Sequence, residues 1–346
     1  MTASRRLAFV AGVLVLAVSA VGAATTEYAT TTDVRIPMAD GTQLDSDEYV
    51  PTTGCPCPTI LVQTPYGKSN SAIAEGNTVF PSNGYAMIVV DVRGTGASEG
   101  SWDSFGALEQ QDGAALVQYA ASRPYSNGIV GLSGVSYSAI NQLLTVEQPG
   151  TEAVKAIFPI VPMADSYRDV TWAGGTIDAG FIPLWLGLVN GLALIPAPDA
   201  LSQPRIALNA ESQHALDVGE FGAQAVLDAT FGGFEMMLPT ALQTFPEQAY
   251  DGAFYQLRSP IRNIALVKVP TFIVGGTYDI FQRGEPLLFR ALKLTGAKKK
   301  LLIGPWYHTT AGEGLTATDG SNPVYDTRGT LLPSLTISSS RGSTAG

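Results

Sequence analysis

Three residues of reactive type each close an apolar run that reads as a β-strand. Ser136 follows "GIVGLSGV", Asp279 follows "TFIVGGTY" and His308 follows "LLIGPWY". A serine hydroxyl is a weak nucleophile until a neighbouring base takes its proton. Histidine is the usual base, since its pKa lies near working pH and a carboxylate can hold its tautomer. The chain has only two histidines, so the search is short. His308 ends a strand on the side where α/β sites assemble, whereas His214, in "ESQHALDV", reads as a surface position. Serine, then acid, then histidine is one of the chain orders in which such triads occur.

The stretch "GLSGVSYSA" nearly spells G-x-S-x-G, the sharp strand-to-helix turn that exposes a nucleophilic serine. Ser138 stands where the second glycine would be, and Ala139 follows. Acyl transfer also needs donors aimed at the developing oxyanion. The backbone N–H of Tyr137 is one by construction of such a turn. A second must come from the loop after Thr64-Pro65, where the Tyr66 phenol is either a donor or a packing group.

These residues need a scaffold of alternating strands and helices. "VRIPMADGTQL" reads as a hairpin turning at Asp40-Gly41. Apolar runs at 58–67, 84–96, 128–135, 154–162, 269–279 and 298–308 read as strands. Residues 107–122, 137–148 and 284–295 read as helices, the first through Leu108, Ala115, Leu116 and Tyr119. Continuous apolar strands alternating with helices imply an α/β fold, its mostly parallel sheet covered on both faces. The alternation lapses from 163 to 260, which reads as a mostly helical insert between core segments 25–162 and 261–312. There Trp172, Phe181 and Trp185 make an apolar region able to wall a pocket. Residues 313–346, Ser/Thr/Gly-rich, are expected to be disordered.

Residues 1–24 carry Arg5 and Arg6, then an uncharged apolar stretch and small residues, the pattern of a cleaved secretory signal. Its loss would take the formal charge from −10 to −12. Such acidity excludes nucleic acid as a partner, and no further apolar span points to a membrane. Cys55 and Cys57 flank Pro56; a ring this small would be strained, and the two are expected to be a loop pair without catalytic duty. Two histidines are too few for a zinc site, and the expected chemistry takes no metal and no cofactor. Gly94, Gly96 and Gly100 miss the dinucleotide spacing G-x-G-x-x-G. They read instead as a tight loop braced by Arg93 or Glu99.

The blocks "VRIPMADGTQL", "VQTPYGKS", "DVRGTGASEG", "GIVGLSGVSYSA", "VPTFIVGGTYD" and "IGPWYH" resemble, in order, the Xaa-Pro dipeptidyl-peptidase/cocaine esterase (CocE/NonD) serine hydrolases. The resemblance covers roughly residues 29–312 and implies an α/β-hydrolase fold with a helical cap. It implies Ser136 as nucleophile, Asp279 and His308 as its partners, and the Tyr66 phenol with the Tyr137 amide as oxyanion hole. It also implies a small-molecule ester, amide or short peptide as substrate. A dipeptidyl-peptidase must bind an ammonium group, for which Asp165, Asp169 and Asp178 are candidates. The family's elbow reads G-x-S-Y-x-G, so Ala139 stands at its second glycine. The resemblance further implies a C-terminal jelly-roll domain, where this chain departs by ending soon after His308. The alternative is a non-catalytic binding protein on the same scaffold.

Overall fold

The computed structural model describes residues 26–69, 79–178, 180–195, 204, 208–219 and 250–308. The expected signal, the tail and a large share of 163–260 lie outside the described residues. One eight-stranded sheet organises the chain, in the order β1-β2-β4-β3-β5-β6-β7-β8. Its strands are β1 (Tyr28–Pro37), β2 (Gln43–Pro51), β3 (Cys57–Thr64), β4 (Ala86–Asp91), β5 (Ser126–Val135), β6 (Val154–Ile160), β7 (Thr271–Tyr278) and β8 (Lys299–Tyr307). The β1–β2 and β2–β4 pairings are antiparallel, and every other is parallel. Helices α1 (Val79–Ser82), α2 (Ala107–Ser122), α3 (Tyr137–Val146) and α4 (Phe181–Ala193) follow in chain order.

The parallel strands are apolar along their length because both faces are covered. Leu61, Ile88, Val90 and Leu132 pack with Leu116 of α2 and Leu143 of α3 in one core. The hairpin turns where the sequence places it, with Gly41 at φ +90° and Met38 N–H donating to Thr42 O. Several element boundaries differ from expectation. The run 84–96 is a strand only as far as Asp91, and the helix from Gly284 stops at Ala291. There Leu292 turns extended and buries its side chain in the core.

The α2 face also differs. Leu108 is 51% exposed, while Glu109, Gln110 and Asp112 are buried. Polar contacts hold them there: Arg93 binds Asp112 through Nε (2.8 Å) and Nη2 (2.7 Å), and Gln110 donates to Leu257 O. The Arg93 guanidinium also reaches Asp40 at 2.7 Å and holds its carboxyl at about 2. One arginine thus ties the hairpin and α2 to the segment after β4. Glu99 contributes by accepting the Gln43 N–H.

Cys55 and Cys57, whose pairing the sequence leaves open, are joined as a disulfide. They lie at the start of β3, the end of the parallel strands remote from Ser136.

A buried ammonium anchors the loop after β3. Lys68 Nζ lies 2.8 Å from Asp33, 3.0 Å from Asp45 and 2.8 Å from Asp47. Its backbone N–H donates to Asp91 Oδ1 at 2.5 Å. Asp91 Oδ2 accepts from Ala97, and a Cβ on Gly96 would sit 2.0 Å from that oxygen. Breaking a buried ion cluster from one side leaves uncompensated charge. Lys68→Met is therefore expected to lower stability by about 3–5 kcal/mol, read from the urea unfolding midpoint.

Candidate active site

Ser136 occupies the turn between β5 and α3 at φ 57°, ψ −115°. A non-glycine residue rarely adopts this left-handed conformation, and its surroundings must enforce it. Ser136 N–H donates to Ile160 O of β6 at 2.9 Å, and its carbonyl accepts from Ala139 and Ile140. The turn lifts Oγ out of the sheet at the C-terminal ends of the strands. Ala139 is fully buried where the family elbow has glycine.

The partners come from β7 and β8. After a one-residue shift in register past Gly276, Tyr278 lies opposite Tyr307, so Asp279 and His308, one residue beyond each strand, emerge side by side. A Cβ on Gly276 would lie 2.5 Å from Trp306 O and 3.2 Å from Asp279 Cβ, so glycine permits this approach. His308 Nε2 lies 2.7 Å from Ser136 Oγ, and Nδ1 lies 2.6 Å from Asp279 Oδ2. Asp279 is 1% exposed, and its Oδ1 accepts from Phe281 N–H. The Phe281 ring stands edge-on to the imidazole at 5.0 Å. Such a chain can take the serine proton as it attacks an acyl carbon.

A cavity of about 590 Å³ opens over Ser136, walled largely by apolar side chains, among them Trp102, Phe105, Ile140, Phe181, Trp185 and Phe281. Tyr66 and Tyr137 both line it. Trp185 Nε1 donates to Tyr66 Oη at 3.2 Å, and Trp102 Nε1 donates to Tyr137 Oη at 3.1 Å. The Tyr137 ring stacks on Phe105 with centroids 4.0 Å apart.

Several expectations need correction. Trp172 is not among the lining residues. Its indole N–H donates to Tyr255 Oη and its ring stacks on Tyr167. His214 is not a surface residue: it is 1% exposed, with its ring nitrogens 3.3 Å from Ala193 O and 3.0 Å from Ser98 O. Nor are the proposed ammonium-binding acids at liberty. Asp165 caps the turn Ser166–Thr171 and pairs with Arg168, while Asp169 accepts from the Ala164 and Asp165 amides and pairs with Arg283. Asp178 accepts from the Gly180 and Phe181 amides at the start of α4.

Glu109 is the residue that sequence reasoning missed. Its carboxyl accepts from Tyr137 Oη at 2.6 Å, from Phe105 N–H at 3.1 Å and from Asn141 Nδ2 at 3.2 Å. It lies directly beneath the side chain of the residue after Ser136. An acid in the first turn of a helix reads in sequence as solvated, and only the partner Tyr137 from another helix marks it.

The family model for X-Pro dipeptidyl-peptidases (S15 family) matches residues 40–310. The chain is 27% identical over 288 residues to the cocaine esterase of Rhodococcus sp. (strain MB1 Bresler), covering 82% of this chain and 49% of that protein. It thus spans about half the length of that curated relative. Two solved structures share the fold. An aminopeptidase from a marine sediment archaeon (Thaumarchaeota archaeon) matches at TM-score 0.64 and 20% identity, over 86% of this chain and 51% of that one. A CocE/NonD family hydrolase from Staphylococcus aureus matches at TM-score 0.59 and 19% identity, over 82% and 47%.

Burial pushes the Glu109 carboxyl from 4.5 up to about 8, against the lowering pull of the Tyr137 and Phe105 donors. Between those two values the folded state keeps a proton that the unfolded chain has lost, so stability falls as pH rises. Glu147 (about 8) and Glu285 (about 9) act in the same sense. Glu109→Gln is expected to shrink the loss of stability between pH 4.5 and 8 relative to wild type, measured by urea unfolding at a series of pH values.

Proposed function

We propose that this chain, which belongs to the X-Pro dipeptidyl-peptidase (S15) family, is a serine hydrolase that cleaves acyl bonds through a covalent acyl-enzyme. The observation that carries the proposal is the chain of contacts from Ser136 Oγ to His308 Nε2 (2.7 Å) and from His308 Nδ1 to Asp279 Oδ2 (2.6 Å). His308 takes the hydroxyl proton as Oγ bonds to the acyl carbon, while Asp279 holds the imidazolium that forms. The Tyr137 amide and the Tyr66 hydroxyl donate to the oxygen that becomes anionic. His308 then protonates the leaving group, and water, activated by the same imidazole, releases the acid.

The apolar cavity favours an ester with a bulky apolar or aromatic acyl group. A second reading, cleavage after an aminoacyl-proline pair, has one observation in its favour. Asp217 lines the same cavity, and its Oδ2 is buried without a hydrogen-bond partner, a place for a substrate ammonium group.

The proposal extends to location. Residues 1–24 carry the pattern of a secretory signal, and the Cys55–Cys57 disulfide is of a kind that persists in oxidising compartments. On this reading the mature chain acts outside the cytoplasm.

Ser136→Ala is expected to abolish labelling by a fluorophosphonate probe and to cut ester hydrolysis by about 10³-fold or more. Unchanged turnover in that variant would sink the proposal. An aryl ester is expected to be cleaved faster than an X-Pro-anilide; the reverse order, lost in Asp217→Asn, would favour the second reading. Intact-mass analysis of secreted protein is expected to place the new N-terminus at Ala24 or Thr25.

A further inference from the structure

We infer that Glu109 is a positioning residue of acyl transfer, acting through the Tyr137 phenol on the backbone amide that meets the oxyanion. The inference deepens the acyl-transfer reading above and rests on it. Tyr137 is the first residue of α3, where a helix leaves its amides without an intrahelical acceptor. Among the described residues none accepts the Tyr137 N–H, and Tyr137 lines the cavity with Ser136. That donor stands free for an oxyanion, so what matters is its aim.

The side chain of the same residue sets that aim. The Tyr137 ring is buried and stacks on Phe105 with centroids 4.0 Å apart. Its Oη lies 2.8 Å and 2.6 Å from the two Glu109 oxygens and accepts from Trp102 Nε1. The bond to Glu109 holds whichever of the two groups owns the proton. Asn141, one turn further along the same face of α3, donates to the same carboxyl at 3.2 Å. From α2, Glu109 thus grips the first turn of α3 at two points.

The same carboxyl reaches the cavity wall. It accepts from Phe105 N–H at 3.1 Å, and Phe105 is left-handed at φ 58°, as Ser136 is at φ 57°. Such conformations persist only where the surroundings impose them. Glu109 touches one of these residues directly and the other through its neighbour in the chain. Burying an acid to 3% exposure is costly. An apolar side chain would pack under Tyr137 without that cost, but would fix neither the phenol nor the Phe105 amide. A misaimed oxyanion donor should appear in kcat, since the oxyanion exists only after attack.

The test is a double-mutant cycle of Glu109→Ala and Tyr137→Phe on an aryl ester, with rates normalised to active sites titrated by a fluorophosphonate. This normalisation removes any misfolded fraction. Each single change is expected to lower kcat roughly tenfold or more, with KM within about twofold. The double variant is expected to stay within about threefold of the slower single, because both delete one hydrogen bond. Glu109→Gln, which keeps an oxygen for the phenol, should recover kcat to within about threefold of wild type. Normal kcat per titrated site in both singles, with only the urea midpoint lowered, would mean a merely structural role and overturns the inference. So do a rise in KM with kcat intact, or losses that multiply in the double variant. Should Glu109→Ala fail to fold, normal kcat in Tyr137→Phe overturns it alone. Ser136→Ala separates the two readings: its turnover tests the hydrolase proposal and is indifferent to Glu109.

Discussion

Parallel pairing of β7 with β8 is the constraint from which the site follows. Tyr278 opposite Tyr307, reached through a one-residue shift in register after Gly276, sets Asp279 and His308 as neighbours. A slip of one residue would turn each side chain to the other face of the sheet. The pairing of β5 with β6 does the same for the serine: Val135 lies opposite Ile160, and the Ile160 carbonyl receives the Ser136 amide. Residues separated by 172 positions come within 2.7 Å because consecutive strands end at one level. The left-handed backbone at Ser136 is an unfavourable conformation, held by these long-range pairings.

Around this frame, two clusters of buried charge hold the elements behind the site. Lys68 lies among three carboxylates and donates through its backbone to a fourth, Asp91, which burial pushes up to about 7. Isolated, any of these groups would cost several kcal/mol to desolvate; together they repay part of that cost and admit one arrangement of the loop. The loop they hold is the one carrying Tyr66. Arg93 acts likewise for α2, and α2 supplies Glu109 to the underside of Tyr137. Both tyrosines at the cavity are thus placed by polar groups set behind them.

The described part of 163–260 contributes in two ways. Helix α4 supplies Phe181, Trp185 and Leu186 to the cavity, while Leu184 at 74% exposure and Leu188 face outward. Asp165 and Asp169 lock the turn before it to Arg168 and Arg283. Acids that look like substrate contacts in a linear reading are spent on backbone amides and arginines. Among the described residues that line the cavity, Asp217 is an acid with a buried oxygen that has no hydrogen-bond partner.

Much of the scaffold was legible in one dimension. Apolar runs closed by glycine, proline or a polar residue mark strands, since a strand covered on both faces needs apolar side chains throughout. Ser136, Asp279 and His308 could be picked out because each follows such a run and because histidine is so rare in the chain. Helix faces were less legible. The burial of Glu109 and Asp112, the exposure of Leu108, the enclosure of His214 and the turning of Trp172 towards Tyr255 all depend on partners far away in sequence. Periodicity records only that a residue is apolar or polar. Hydrogen bonds and ion pairs decide whether a polar group can be buried, and their partners meet only once the sheet has closed. By itself, then, the sequence determined the order of the elements and the reactive residues at their ends. The tertiary structure alone decided which polar groups stand behind them, because desolvation is affordable only where a specific partner is within reach.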